Sequence, residues 1–143
     1  MTTIERTIHI EAPPEKVFSY IDDPLHLPEI WPSMVEVEDV ERLPNGGRRY
    51  EWEYKMAGIH FEGVSETVTY EPGRHVVEKN TAGIPSTFDW TFTPENGGTR
   101  LELKTEYEIP HKVLGKFAEP FVRKLNEREA DTVLANLKDR MES

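Results

Sequence analysis

The sequence predicts an α+β domain in which a seven-stranded antiparallel sheet is covered by one long helix near the C-terminus. Three observations predict this class. Residues 3–11 alternate between apolar and polar types, as a half-buried strand does. Residues 34–109 hold further alternating segments separated by turn-forming residues, which is typical of an antiparallel meander. Residues 112–141 carry apolar side chains at spacings of three and four, which indicates an amphipathic helix.

Two short helices are predicted after the first strand. Pro13 and Pro14 end that strand, and a proline in a first helical turn is tolerated because its missing N–H would be unpaired there. The helix ends at Asp22-Asp23-Pro24, since the residue before a proline is pushed out of the helical region. A second short helix is expected before Pro32. The pair lacks the basic residues that DNA-reading helix-turn-helix motifs need.

Six further strands are predicted, near residues 34–43, 48–57, 59–71, 74–81, 86–94 and 99–109. Glycine and proline clusters between them supply the backbone angles that chain reversals require. None of these glycines precedes a helix with the spacing of a phosphate-binding loop, so they are interpreted as hairpin turns. With 143 residues and no linker, residues 1–143 are predicted to form a single domain.

Three of these strands direct aromatic side chains to the sheet face that the long helix must cover. The residues are Tyr50, Trp52, Tyr54, Phe88, Trp90, Phe92 and Tyr107. They could form a close-packed core. A helix about 10 Å across is narrow beside seven strands spaced about 4.8 Å apart, however, so a strongly bent sheet would leave an aromatic-lined space. Such a space suits a mostly apolar ligand with a few polar groups.

The long helix is predicted to consist of two segments. The apolar directions of its front and rear halves differ by about 140° when projected at 100° per residue, and Pro120 is expected to kink the front half. We interpret the front part as a lid over the cavity, contributing Phe117, Phe121 and Leu125 to ligand binding. The rear part is expected to anchor the fold through the apolar residues Val133, Leu137 and Met141.

Candidates for acid–base chemistry are His60, Glu66 and Tyr54. If their strand face points inward, His60, Glu62 and Glu66 would share a dry pocket. Desolvation and the mutual repulsion of the two carboxylates would raise their pKa values and make a general base or acid plausible. No catalytic assignment follows, because the inward face of residues 59–70 is undecided.

The two faces of that strand give conflicting signals. Ile59 and Phe61 favour odd-numbered side chains pointing inward, whereas Val64 and Val68 favour even-numbered ones. A bulge near Gly63 is the expected switch between them.

Arg6 lies on the apolar face of the first strand, between Ile4 and Ile8, where an unpaired charge would be costly. It snorkels at the sheet edge, pairs with a carboxylate, or anchors a ligand carboxylate or enolate within the cavity. The five histidines are scattered and there is no cysteine, so neither a metal site nor a cofactor is predicted.

The composition disfavours two kinds of partner. With 27 acidic against 17 basic residues and a net charge of -10, the chain has the wrong sign of charge for nucleic acid or an anionic membrane. The sequence shows no signal-peptide pattern and no apolar run of membrane-spanning length. We therefore expect a soluble cytoplasmic protein without stable membrane insertion. The sequence does not predict the oligomeric state.

Three parts of the chain resemble a known superfamily. Residues 8–18, followed by 21–24 and 28–32, resemble the opening of START-like or Bet v 1-like proteins, also called the polyketide cyclase/dehydrase and lipid-transport group. Residues 90–101 are similar to the next-to-last hairpin of that group, and residues 134–138 to the end of its closing helix. The resemblance covers essentially the whole chain.

This resemblance implies the helix-grip fold, in which a curved sheet wraps a C-terminal helix around a deep apolar cavity, with two short helices at its mouth. Members bind lipids, sterols, quinones, hormones or polyketides; some catalyse cyclisation and some assist chaperones. Fold alone does not choose among these functions. The first expectation is non-catalytic binding or transport of a small hydrophobic molecule such as a lipid, a quinone or a polyketide-like compound. A polyketide cyclase or dehydratase and a chaperone-associated interaction module are the alternatives.

Overall fold

The computed structural model describes the whole chain, residues 1–143. The strands are β1 (Thr2–Ile10), β2 (Met34–Arg42), β3 (Arg48–Met56), β4 (Ile59–Glu71), β5 (His75–Ala82), β6 (Ser86–Glu95) and β7 (Gly98–Tyr107). The helices are α1 (Pro14–Asp22), α2 (Leu27–Ile30), α3 (His111–Leu114) and α4 (Glu119–Glu142), with a 3₁₀ turn at Pro24–His26.

The seven strands form one antiparallel sheet in the order β1-β7-β6-β5-β4-β3-β2. Strands β2 to β7 pair in chain order, as a meander does, and β1 adds to the free side of β7. Strands β1 and β2 are therefore the opposite edges of the sheet, and the chain between them carries α1 and α2. The predicted α+β class, with seven antiparallel strands and one long C-terminal helix, is confirmed.

The C-terminal region differs from the prediction of one helix kinked at Pro120. It forms a single turn, α3, and the 24-residue helix α4, with residues 115–118 non-helical between them. Pro120 lies in the first turn of α4, where its missing N–H costs no hydrogen bond. The proline therefore begins the helix instead of bending it.

The apolar side chains form two core clusters. The first contains the rear of α4, the buried face of α1 and the middle of β6 and β7. Val133 and Leu137 are fully buried in it and Met141 is 6% exposed, as expected for the part that anchors the fold. The second cluster contains the inner face of β3 together with Leu27, Tyr107 and Val122.

Strand β4 points its odd-numbered side chains inward along most of its length. Gly63, Ser65 and Thr67 are buried, whereas Glu66 is exposed. An irregularity in its pairing with β5 lies between Val64 and Ser65, near Gly63 as expected, and a second lies between Thr67 and Thr69. The face does not switch at the first one, because Ser65 and Thr67 are still buried beyond it. The inward face in the middle of this strand is therefore made of small or polar residues, with no charge.

Candidate functional site

A mostly apolar cavity lies between the inner face of the sheet and α4. The space inside it that a water-sized sphere can occupy is about 90 Å³. A dry cavity of about 150 Å³ is known to hold benzene. The cavity is thus narrow, and a ligand larger than one ring has to displace side chains.

Of the lining residues, 14 are hydrophobic. Six of the ten residues predicted for ligand binding lie in the lining: Tyr50, Trp52, Tyr54, Phe88, Trp90 and Tyr107. The alternation of β3, β6 and β7 turns them toward α4, as the sequence pattern predicts. Contact of these six with a ligand remains a prediction.

Phe92 does not line the cavity, although it was predicted to. It is 3% exposed and belongs to the first core cluster, where its ring meets Phe18 of α1 edge-on at 5.6 Å between centroids. Helix α1 covers this end of the sheet. Phe92 is therefore a packing residue.

The front of α4 also contradicts the prediction of an aromatic lid. Phe121 is 51% exposed and Leu125 is 36% exposed, and neither they nor Phe117 lines the cavity. Phe117 packs on the second cluster and stacks on Phe121 at 5.8 Å. The reason is the register of α4, which presents Asn126, Glu129 and Ala130 to the sheet instead.

His60 and Glu66 are excluded as cavity residues. His60 lies on the outer face of β4, with its Nδ1 3.0 Å from Glu53 Oε1. Glu66 is also on the outer face, and Arg49 Nε donates to its Oε1 at 3.1 Å. Of the three acid–base candidates, only Tyr54 faces the cavity.

Glu129 joins α4 to the sheet and to the end of α2. Its carboxyl group accepts hydrogen bonds from Trp31 Nε1 at 2.8 Å, from the Tyr54 hydroxyl and from the Ser33 hydroxyl. Burial raises the pKa of Tyr54 well above its ordinary value, and the neighbouring Glu129 raises it further. Three donors converge on this one carboxyl group, which suits it to holding α4 in place.

Glu78 of β5 is the second carboxyl group in the cavity lining, and sequence reasoning missed it. Burial raises the pKa of Glu78 from 4.5 to about 7; the Tyr50 hydroxyl opposes this rise, and the charge of Asp22 adds to it. Burial also raises the pKa of Tyr50 well above its ordinary value, and Glu78 adds to that shift. Near neutral pH the Glu78 carboxyl can therefore either donate or accept a proton.

Two buried polar atoms in the lining have no hydrogen-bond partner. They are the hydroxyl of Ser65, which is 1% exposed, and the indole nitrogen of Trp90, also 1% exposed. By contrast, Trp52 Nε1 donates to Asn80 Oδ1 at 3.1 Å, and Asn80 Nδ2 donates to Ser86 Oγ at 2.8 Å. Because buried polar groups are normally paired, the Ser65 and Trp90 atoms are available to a ligand.

No lysine, arginine or histidine lines the cavity. Arg6 lies outside the lining and pairs with α4, through Nε to Asp131 Oδ1 at 2.7 Å and through a second nitrogen to Glu127 Oε2 at 3.4 Å. The alternative role of Arg6 as a ligand anchor in the cavity is therefore wrong. The structure also has no group of three or more histidine and acidic side chains arranged to hold a metal ion.

The missed residues had a signal in the sequence. Across the turn between β5 and β6, Asn80 pairs with Ser86 and Glu78 pairs with Phe88. Paired residues share a face, so Glu78 and Asn80 lie on the same face of the sheet as the aromatic ring of Phe88. Extending the rear stripe of α4 forward at helical spacing reaches Glu129. Both signals depend on register, which the hydrophobic pattern alone does not show.

A curved antiparallel sheet that encloses a cavity against a long closing helix defines a helix-grip protein of the START or Bet v 1 class. The chain belongs to the family described as polyketide cyclase/dehydrase and lipid transport, whose model matches residues 1–142. A search of curated proteins found no match. None of the helices is both long enough and apolar enough to cross a lipid bilayer.

Solved structures share the fold at low sequence identity. TTHA0849 from Thermus thermophilus is 23% identical, with a TM-score of 0.84 over 98% of this chain and 97% of its own. The Zhui aromatase/cyclase from Streptomyces sp. R1128 is 18% identical, with a TM-score of 0.79 over 99% and 93%. A START superfamily protein from Mycobacterium smegmatis is 16% identical, with a TM-score of 0.79 over 98% and 97%. At these identities the likeness shows the fold alone.

Proposed function

We propose that this protein binds and carries a small, mostly apolar molecule in its internal cavity, without chemical conversion. The observation that carries the proposal is the lining itself, in which aromatic and aliphatic side chains surround a few polar groups with free hydrogen-bonding capacity. That combination is typical of small-molecule sites, in which apolar area supplies affinity and a few polar atoms set orientation. A lipid, a quinone or a polyketide-like compound belongs to this class.

The cavity volume limits which ligands bind without rearrangement. About 90 Å³ suits a molecule of no more than one ring. Met34 and Met56 line the cavity, and unbranched methionine side chains change rotamer easily. We expect larger ligands to bind by displacing these two side chains, at a cost in affinity.

Tryptophan fluorescence tests the proposal directly, since the chain has three tryptophans and all of them line the cavity. Titration with toluene and then with naphthalene should change the emission of the protein in a saturable way. Native mass spectrometry of the purified protein should also detect a retained small molecule. The proposal fails if neither hydrocarbon changes the emission and the mass spectrum shows no small molecule retained by the protein.

A matched pair of variants locates the binding. Ala130 of α4 lines the cavity, whereas Ala135 on the same helix is exposed. Ala130→Leu fills part of the cavity and should weaken toluene binding at least tenfold, while Ala135→Leu should leave it unchanged. Equal binding by both variants would place the ligand elsewhere.

A second candidate function, a cyclase or dehydratase acting on a polyketide-like substrate, is favoured by the Glu78 carboxyl beside the Tyr50 hydroxyl in the cavity. A carboxylate with a pKa near neutrality can remove an acidic proton from carbon next to a carbonyl group, and the neutral acid can return it to oxygen. Incubation with a linear β-polyketone, followed by mass spectrometry and NMR, tests this function. Conversion that is lost in Glu78→Gln and kept in Glu66→Gln would favour the enzyme over the carrier.

A further inference from the structure

The charges that line the cavity are all of one sign. The lining contains the carboxyl groups of Glu78 and Glu129 and no basic side chain. Glu129 already accepts hydrogen bonds from Trp31, Ser33 and Tyr54. Glu78 has no comparable set of donors, so it is the carboxyl group whose oxygens are left for a ligand.

The neighbours of Glu78 supply no positive charge. Across the sheet it pairs with Thr67 on β4 and with Phe88 on β6. The groups that act on its titration are the Tyr50 hydroxyl of β3 and Asp22 at the end of α1, and Asp22 is itself paired with Arg48 at 3.3 Å. Glu78 is partly buried and has the Tyr50 hydroxyl but no cation beside it, so a bound cation would offset the cost of its negative charge.

The remaining wall near Glu78 is aromatic. Phe88 meets Trp31 at 5.3 Å between centroids, and Trp31 meets Trp90 at 6.3 Å. Aromatic rings attract cations through their faces, most strongly when water is excluded. The hydroxyl of Ser65, buried and without a partner, lies on the same inner face and can accept a further hydrogen bond.

We propose that the cavity selects a small apolar amine, with its ammonium group against Glu78 and its hydrocarbon part among Phe88, Trp90 and the aliphatic side chains. This inference rests on the proposed function, since it names the chemical class of the ligand for the same cavity. A ligand carboxylate would lie next to Glu78 with no cation to compensate either charge. A neutral ligand would leave an ionised Glu78 unpaired.

Four one-ring compounds of similar size test the proposal: benzylamine, benzyl alcohol, toluene and benzoate. Binding is measured by tryptophan fluorescence and by NMR near pH 8, above the pKa of about 7 at which Glu78 ionises. Benzylamine should bind at least tenfold more tightly than toluene, and benzoate should bind most weakly. Near pH 5 the preference for benzylamine should shrink, because Glu78 is then neutral.

Two variants assign the preference to one side chain. Glu78→Gln should bind benzylamine no better than benzyl alcohol, and measurable toluene binding by this variant would report that the cavity is intact. Glu66→Gln changes a carboxylate on the outer face of the neighbouring strand and should keep the full preference. The pH series on the unmodified protein gives the same information without a substitution.

The outcomes separate the two proposals. If toluene binds but benzylamine has no advantage, or if the advantage survives in Glu78→Gln, the amine proposal is wrong and the carrier proposal stands. If none of the four compounds binds, the amine proposal is wrong, and the naphthalene titration and the native mass spectrum then decide whether the carrier proposal fails as well. A benzylamine preference that is lost in Glu78→Gln and reduced near pH 5 supports the assignment.

Discussion

The indole ring of Trp52 occupies the space that a side chain at Gly63 would need. The two residues are directly paired between β3 and β4, so their Cβ positions are on the same face. A Cβ on Gly63 would lie 2.2 Å from Cζ2 of Trp52 and 2.3 Å from the carbonyl oxygen of Ala82. Gly63 therefore lets Trp52 lie across β4 and donate to Asn80 at 3.1 Å.

We expect Gly63→Ala to lower the free energy of unfolding by about 1–3 kcal/mol, because the added methyl group meets a backbone oxygen that cannot easily move. It should also shift the tryptophan emission, since Trp52 is displaced. Urea denaturation and fluorescence measure both effects. Gly115→Ala, where the nearest atom to a Cβ is 3.3 Å away, is the control and should change stability little. Equal losses in the two variants would contradict this account of Trp52.

Glu78 should make the folded state less stable as the pH rises. The folded protein holds the proton of Glu78 up to a pKa of about 7, whereas the unfolded chain releases it near 4.5. Between these values the folded state binds more protons, so the free energy of unfolding falls with rising pH and levels off above about pH 7. The total decrease in the free energy of unfolding caused by Glu78 is about 3 kcal/mol at most.

Glu78→Gln should remove that pH dependence. Chemical denaturation near pH 5 and near pH 8 should show a smaller fall in stability between the two pH values for the variant than for the unmodified protein. The stability of the variant relative to the unmodified protein should be greatest at the higher pH. Glu66→Gln, which changes an exposed carboxylate, should keep the original fall. Identical falls in the unmodified protein and Glu78→Gln would show that Glu78 is not the group responsible.

Glu129→Gln should destabilise the attachment of α4. The amide oxygen can accept from only two donors, so one hydroxyl group, that of Tyr54 or Ser33, has to turn and accept from the amide NH2. Hydrogen bonds to a neutral amide are weaker than those to a carboxylate, so we expect a loss of about 1–3 kcal/mol. Thermal denaturation measures this loss. Glu127→Gln on the same helix removes only a partly exposed pair with Arg6 and should cost less than about 1 kcal/mol. The account fails if the two variants lose the same stability.

Leu137→Ala and Phe121→Ala should differ in their effect on stability. Leu137 is fully buried, so the cavity left by its truncation should cost roughly 2–5 kcal/mol. Phe121 is 51% exposed, and its loss should cost less than about 1 kcal/mol. Phe121→Ala should also leave toluene binding unchanged, because its ring lies outside the cavity. Weaker toluene binding by Phe121→Ala would restore the lid role predicted from the sequence.

Local pattern predicted the elements, but it did not predict which polar residues face inward. Tyr50 and Trp52 were found because β3 alternates cleanly between apolar and charged residues. The inward face of β4 stayed undecided because Val68, an apolar residue, is 53% exposed. In the wall of this cavity the usual hydrophobic pattern is reversed at several positions: some side chains that face the cavity are polar, and some apolar side chains face the solvent.

The same inversion explains the error in α4. Its front half turns Glu129 toward the cavity and leaves Phe121 outside, so the apolar direction of that half points away from the site. Hydrophobic periodicity locates the protein core, and it fails where the helix faces a binding site. Strand register, which pairs Glu78 with Phe88, is the information that would have corrected the site residues on the sheet.

The placement of β1 and β2 at opposite edges has a kinetic consequence. Thr2 pairs with Tyr107, so the first strand finds its partner only after the whole meander has been made. Contacts between such distant parts of a chain slow folding, because the entropy of closing a long loop is lost before the contact stabilises the fold. We expect β1 to stay unpaired on the ribosome until β7 emerges, so folding should be completed late in synthesis.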